Sequence, residues 1–281
     1  MPQRLPPVVP PVVSPQWLEE HAGEVVVADV RWYLDGRSGR AAYDAGHLPG
    51  AVFVDLDRWL SDAGAPPERG RHPLPDPAVF AEGMARSGVS DDTVVVGYDD
   101  AGGTVAARMV WMLRATGHPA ALLDGGLDAL PGPLSTEPAT PGRGDFTPRA
   151  WPDDVLADLE TACSPDVVLL DARDADRYRG VHEPVDPKAG HVPGARNLPS
   201  RGNVDERGRL LPVEALRARF REQGVDAGSP VVASCGSGVT ACHTLLVLEH
   251  VGLGAGRLWP GSWSEYSHSC RPVATGDAAS P

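Results

Sequence analysis

A reactive sulfur is what the stretch Val231-Val232-Ala233-Ser234-Cys235-Gly236-Ser237-Gly238-Val239-Thr240-Ala241-Cys242-His243 has the residues to make. Its apolar, β-branched start predicts a short buried strand, and Cys235 opens a tight loop with two glycines. The loop feeds a helix running on through Thr244-Leu245-Leu246-Val247-Leu248. Amides in such a loop and in the first helical turn lack intrahelical partners, and the helix dipole favours negative charge there. Such a site favours the thiolate over the thiol, and the thiolate is the form that acts as a nucleophile. Gly236 and Gly238 suit a loop that wraps an anion. The plainer alternative is a buried structural cysteine at a strand end. Cys242, inside the apolar helix, reads as a small core residue, while Cys163 and Cys270 carry no signal. Four scattered cysteines without a Cys-x2-Cys pair make neither a disulfide scaffold nor a zinc site.

The elements around this loop come from a chain of 281 residues, long enough for two domains. A formal net charge of -13 argues against nucleic acid or an anionic membrane as partner. No apolar run has the length of a membrane span, and Met1-Pro2-Gln3-Arg4-Leu5-Pro6-Pro7 lacks the features of a signal peptide, so a cytoplasmic protein is expected.

In chain order, Ser14-Pro15 predicts an N-cap and first turn of a short helix ending at Gly23. Residues 24–31 read as a buried strand closing on Asp29-Val30-Arg31. A short helix at 39–46, the turn Gly46-His47-Leu48-Pro49-Gly50-Ala51 and a strand at 52–54 follow. Next comes a loop rich in Gly, Pro and Arg, containing Arg71-His72-Pro73-Leu74-Pro75. A helix is expected at 77–87, a strand at 93–98, a helix at 104–116 and a strand at 121–123. Strands alternating with helices predict a parallel α/β sheet. The same order then recurs: Asp171-Ala172-Arg173 repeats Asp29-Val30-Arg31, and Gly190-His191-Val192-Pro193-Gly194-Ala195 repeats residues 46–51. Val231-Val232 falls opposite Val95-Val96, which sets Cys235 opposite Asp99. Between the copies, residues 131–142 have the composition of an exposed linker.

The paired Asp-x-Arg strands, the doubled Gly-His-x-Pro-Gly-Ala turns and the single Cys-Gly-Ser-Gly-Val-Thr-Ala loop resemble the two-domain rhodanese family, from about Val12 to Arg271. Within it, the loop and the run Gly261-Ser262-Trp263-Ser264-Glu265 are similar to the branch that uses 3-mercaptopyruvate. The resemblance implies an α/β fold of tandem rhodanese-like domains, each a mainly parallel central sheet flanked by helices. Residues 1–130 would be a non-catalytic domain, 131–149 a linker and 150–281 the catalytic domain. It implies a sulfurtransferase in which Cys235 takes sulfur from a small-molecule donor as a persulfide and passes it to a thiol, cyanide or thioredoxin-like acceptor. No metal or organic cofactor is implied.

Carried over residue by residue, the resemblance assigns Gly236, Gly238, Val239 and Thr240 to holding the anionic substrate sulfur. It assigns Ser237 and His47 to a proton relay at the leaving enolate. A structural turn histidine is the alternative for His47, and Asp35 is near enough in sequence to be considered as its acidic partner. Arg177 matches the carboxylate-binding arginine, its planar fork suiting that group, with Arg179 a second candidate or a surface residue. The sequence departs from the branch in two places: Asp186 stands where a second arginine often follows, with Lys188 close by, and Pro260 replaces the usual Asp. Asp99 cannot form a persulfide, so the first copy would be inactive in sulfur transfer; Arg108 is structural or a cation of the cleft.

Three other readings differ in identifiable residues. A rhodanese-like phosphatase needs Cys-x5-Arg, and that slot is Ala241. A non-catalytic interaction module would have no use for the cysteine and its glycines. A thiosulfate sulfurtransferase shares the mechanism and differs in donor; its loop usually has Arg or Lys just after the cysteine, where Gly236 and Ser237 are neutral here.

Overall fold

The run Val94–Tyr98 has no polar side chain to give to water before its final tyrosine, and all five residues are buried at the centre of a parallel sheet. In the computed structural model, which describes residues 9–277, the chain falls into two units. The first comprises residues up to Leu60, Pro75–Trp151 and Arg207–Arg209. The second comprises Ser61–Leu74, Pro152–Glu206 and the chain from Leu210 onward. The loop 61–74, flanked on both sides by chain of the first unit, therefore packs with the second. The segment expected as a linker packs with the first, where Ser135 and His47 exchange backbone hydrogen bonds at 2.9 and 2.8 Å.

In the first unit the order is β1 (Val12–Val13), α1 (Pro15–Glu20), β2 (Val25–Asp29), α2 (Gly39–Ala45), β3 (Val52–Phe53) and α3 (Leu56–Trp59), then α4 (Pro77–Arg86), β4 (Val94–Tyr98), α5 (Ala107–Ala115) and β5 (Ala120–Leu123). The sheet runs β1-β5-β4-β2-β3, all parallel. Ser14 caps α1 as expected, its Oγ accepting from Trp17 N–H at 3.1 Å, with Pro15 in the first turn. β1 is too short for its pattern to be seen in sequence; its pairing with β5 defines it.

The second unit has α6 (Leu159–Ala162), β6 (Val168–Asp171), α7 (Ala175–Tyr178), β7 (Arg196–Asn197), α8 (Val213–Glu222), β8 (Val231–Ser234), α9 (Ala241–His250), β9 (Arg257–Leu258) and α10 (Ser262–His268). Its parallel sheet runs β7-β6-β8-β9. Successive strand residues face opposite sides. Leu169 and Val232 pack with Trp259 and Trp263, while Leu170 and Val231 pack with Leu216, Phe220 and Val247. Cutting the fully buried Phe220 back to alanine would cost about 3–5 kcal/mol. Among the described residues no helix is long and apolar enough to cross a membrane.

The repeated sequence motifs are tied to each other. Arg31 pairs with Asp29 (Nη2 to Oδ2, 2.7 Å) and also donates to Gly46 O at 2.7 Å. Arg173 does the same with Asp171 (2.6 Å) and Gly190 O (2.7 Å). Each buried arginine thus clamps a strand end to the following Gly-His turn. Inside each turn the histidine ring stacks on a tyrosine, His47 on Tyr43 and His191 on Tyr178, both with centroids 3.7 Å apart. Nδ1 of each faces the tyrosine's own backbone carbonyl at 2.8 Å.

Candidate active site

β8 ends at Ser234, so Cys235 leaves the C-terminal edge of the sheet from a strand with neighbours on both sides. In parallel α/β sheets that edge, where the strand order reverses, is the usual place for a ligand. The loop is fixed from behind. Cys235 N–H donates to Ser262 Oγ at 3.1 Å, and that hydroxyl donates to Trp259 O at 2.8 Å. The carbonyls of Cys235 and Gly236 accept the first amides of α10, from Trp263 (3.0 Å) and Ser264 (2.8 Å). With those carbonyls engaged by α10, the amides of Gly236, Ser237, Val239 and Thr240 reach no backbone carbonyl among the described residues. Successive amides placed in this way, leading into α9, make a concavity that can take an anion. The geometry requires glycine at 238: φ is +76°, and a Cβ there would lie 2.5 Å from Pro260 O. Pro260 therefore works through its backbone, walling the loop. Ser262, with φ +50°, is the one described non-glycine residue in the left-handed region, a local strain of a kind that clusters at functional sites.

The first unit shows such a loop closed on an anion. Asp99 follows β4 as Cys235 follows β8, and its carboxylate accepts four backbone amides. Ala101 and Gly103 donate to Oδ1 at 2.7 and 2.8 Å, and Val105 and Ala106 to Oδ2 at 2.7 and 2.8 Å. Burial pushes the Asp99 carboxyl up from the usual carboxylate range, and those four amides oppose it. The repeat thus carries a fixed carboxylate in one copy and a sulfur in the other.

Ser237 is buried, and its Oγ lies 2.7 Å from Nδ1 of His72. The histidine expected beside Ser237 was His47; the structure puts His72 there instead. His47 is committed elsewhere, its Nδ1 facing Tyr43 O and its Nε2 facing Glu137 O at 3.1 Å, with its ring against Tyr43. Its counterpart His191 has the same stack and the same Nδ1 contact. The motif shared by both copies braces the turn of each. Asp35 pairs with Arg37 at the surface and makes no contact with His47. His72 reaches Ser237 on the loop 61–74, anchored by Arg71 N–H to Ser264 Oγ at 3.1 Å. The sequence signal that could have found it is the loop itself, since a connection that long is usually functional.

Two guanidinium groups lie against Gly236. A Cβ there would stand 3.0 Å from Arg71 Nη2 and 3.4 Å from Arg177 Nη1. Arg177, on the single turn of α7, is held by Glu183 through Nε (3.1 Å) and Nη2 (2.6 Å). Burial pushes the Glu183 carboxyl up, but Arg177 and the amides of Asp186 and Val185 prevail and leave it below its ordinary value. Asp186 touches both arginines, accepting from Arg71 Nη1 and, at 3.3 Å, from Arg177 Nη2. Arg71 was not among the residues expected here. Arg179 is spent at the surface on Asp176 and Asp277, and Lys188 donates to Ser269 O. Arg108 is buried in the first unit with Nε donating to Leu60 O at 3.2 Å. Cys242 lies buried in α9, its Sγ 3.3 Å from Gly238 O. The sixth residue after the nucleophile, Ala241, offers no cation for a phosphate.

A cysteine on a parallel strand end, its glycine-containing loop and a second copy of the framework with aspartate in place of the sulfur define a tandem α/β repeat with one thiol at the sheet edge. The family model of the rhodanese-like domain matches residues 14–130 and again 152–269. The chain belongs to the rhodanese family. A Pseudomonas aeruginosa relative carrying a 3-mercaptopyruvate sulfurtransferase name is 43% identical over 269 residues, 90% of this chain and 93% of its own. A Mycobacterium tuberculosis relative carrying a thiosulfate sulfurtransferase name is 43% identical over 272 residues, 92% of this chain and 93% of its own. The solved 3-mercaptopyruvate sulfurtransferase from Leishmania major superposes with a TM-score of 0.78 at 31% identity, over 95% of this chain and 76% of that one. The class of enzyme is therefore sulfurtransferase.

Proposed function

We propose that this sulfurtransferase takes its sulfur from 3-mercaptopyruvate and carries it on Cys235. The Cys235 thiolate attacks the donor sulfur; the C3–S bond breaks and its electron pair passes into the enolate of pyruvate. The proton from the donor thiol ends on C3, and the sulfur remains as the anionic Cys235 persulfide. A thiol, cyanide or a thioredoxin-like protein then attacks the terminal sulfur and regenerates the thiolate. The loop amides from Gly236 to Thr240 hold both anionic forms of the sulfur. Arg177, with Arg71, pairs with the donor carboxylate.

One observation carries the choice of donor: the Ser237–His72 pair, 2.7 Å apart, with Ser237 two residues after Cys235 on the same loop. An enolate leaving group needs a proton, whereas sulfite leaving from thiosulfate does not, so a hydroxyl–imidazole relay serves the keto acid. The second reading, thiosulfate as donor, draws its support from the two guanidiniums at Gly236. Steady-state kcat/KM with each donor separates the two. Preference for 3-mercaptopyruvate is expected, and clear preference for thiosulfate would overturn the relay as the determinant. A reducing, cytoplasmic setting fits four cysteines none of which is in a disulfide.

A further inference from the structure

Beside the Cys235 loop lies a cluster of six charged groups. Arg173 is paired with Asp171 and reaches Glu183 at 3.4 Å; Arg177 is paired with Glu183; Arg71 and Arg177 share Asp186. Three guanidiniums face three carboxylates, so the formal charge is zero. Each of the two arginines at Gly236 turns one edge to the loop and another to Asp186. Arg71 Nε, also buried, has no hydrogen-bond acceptor. The Asp186 side chain is 2% exposed, so its charge acts through protein and not through screening water.

We propose that Asp186 sets the charge of the donor the site accepts, sharing its carboxylate between Arg71 and Arg177 so that a monoanionic keto-acid thiol is admitted in preference to a dianion. The assignment rests on sulfur transfer at Cys235 as described above. Its physical basis is the scaling of Coulomb energy with ligand charge: one fixed negative charge opposes a dianion twice as strongly as a monoanion at the same place. The overall charge of -13 acts in the same direction. Asp186 touches no reacting atom in this scheme; it is a positioning and charge-setting residue.

Asp186→Asn keeps the shape and an acceptor oxygen while removing the charge. The expected result is a rise in kcat/KM for thiosulfate relative to 3-mercaptopyruvate of about tenfold, the size of one charge interaction through partly screened protein. Arg71→Gln should move the same ratio the other way. Inhibition constants give a readout independent of turnover: sulfate, a dianion, should gain more than pyruvate, a monoanion, on Asp186→Asn. If Asp186 only holds the two arginines in place, both donors and both inhibitors lose equally; an unchanged ratio in both variants overturns the proposal. If neither donor leaves sulfur on Cys235 in the unaltered protein, the sulfur-transfer reading itself fails, a result distinct from an unshifted ratio.

Discussion

Replacing Ser237 by alanine removes the hydroxyl that His72 Nδ1 contacts at 2.7 Å and nothing else of comparable size. If the two side chains deliver one proton to the leaving enolate, they act as a unit, and a positioned acid is worth about 10²–10⁴ in rate. Ser237→Ala should therefore lower kcat with 3-mercaptopyruvate by at least about 100-fold, or about 2.7 kcal/mol. His72→Ala should cost a similar amount. The double variant should lose little more than the worse single, giving a coupling energy close to the whole single effect. With thiosulfate the same variants should lose less than about tenfold, because sulfite leaves without a proton. The assay is the double-mutant cycle by steady-state and single-turnover kinetics with both donors. Additive losses, or equal losses with thiosulfate, would show that the pair is a structural hydrogen bond and refute the relay.

Three further outcomes follow from the geometry. His47→Ala strips the buried Tyr43 O and the partly buried Glu137 O of the ring they face; it should lower unfolding stability by about 1–3 kcal/mol while kcat/KM stays at the wild-type value, as chemical denaturation and kinetics would reveal. Asp99→Ala leaves four backbone amides without their acceptor and should destabilise the protein by more than about 3 kcal/mol, measured by urea unfolding; a loss below 1 kcal/mol, about the value of one ordinary hydrogen bond, would contradict the cradle. Burial pushes the Glu265 carboxyl up, against the hydrogen bond from Trp259 Nε1 at 2.7 Å. The native state then binds this proton more tightly than the unfolded chain, whose glutamates titrate near about 4.3. Stability falls as pH rises from that value through the raised native one, and is flat beyond. Glu265→Gln should abolish that decline, so the variant's stability relative to wild type climbs over this window in pH-dependent denaturation. A constant difference would rule the effect out.

Much of this was legible in the residues, for physical reasons that also mark where legibility stops. The strands β2 and β4 are apolar and β-branched, so periodicity found them; β7 and β9, two residues each, exist through pairing with β6 and β8. The repeat revealed the scaffold because the arginine clamp ties Asp-x-Arg to the following Gly-His turn in both copies, across 15 residues in one and 17 in the other. That same regularity made His47 conspicuous, because what repeats is the fold's own bracing. Cys235, Ser237 and Arg177 stand together because they are carried on one loop and one helical turn of the second sheet. His72 lies 165 residues from Ser237 in sequence, and its contact depends on the loop 61–74 joining the second unit, which no local pattern encodes. Arg71 was hidden for the same reason. Asp186 was visible as a departure, but its sharing between two arginines needs three-dimensional proximity to be seen.

The most direct test of the central claim is to expose the reduced protein to 3-mercaptopyruvate without an acceptor and locate the transferred sulfur by mass spectrometry. One sulfur retained on Cys235, with one pyruvate released per chain and both absent in Cys235→Ser, is the expected result. Sulfur on Cys242 or another cysteine, or pyruvate release that survives Cys235→Ser, would contradict it.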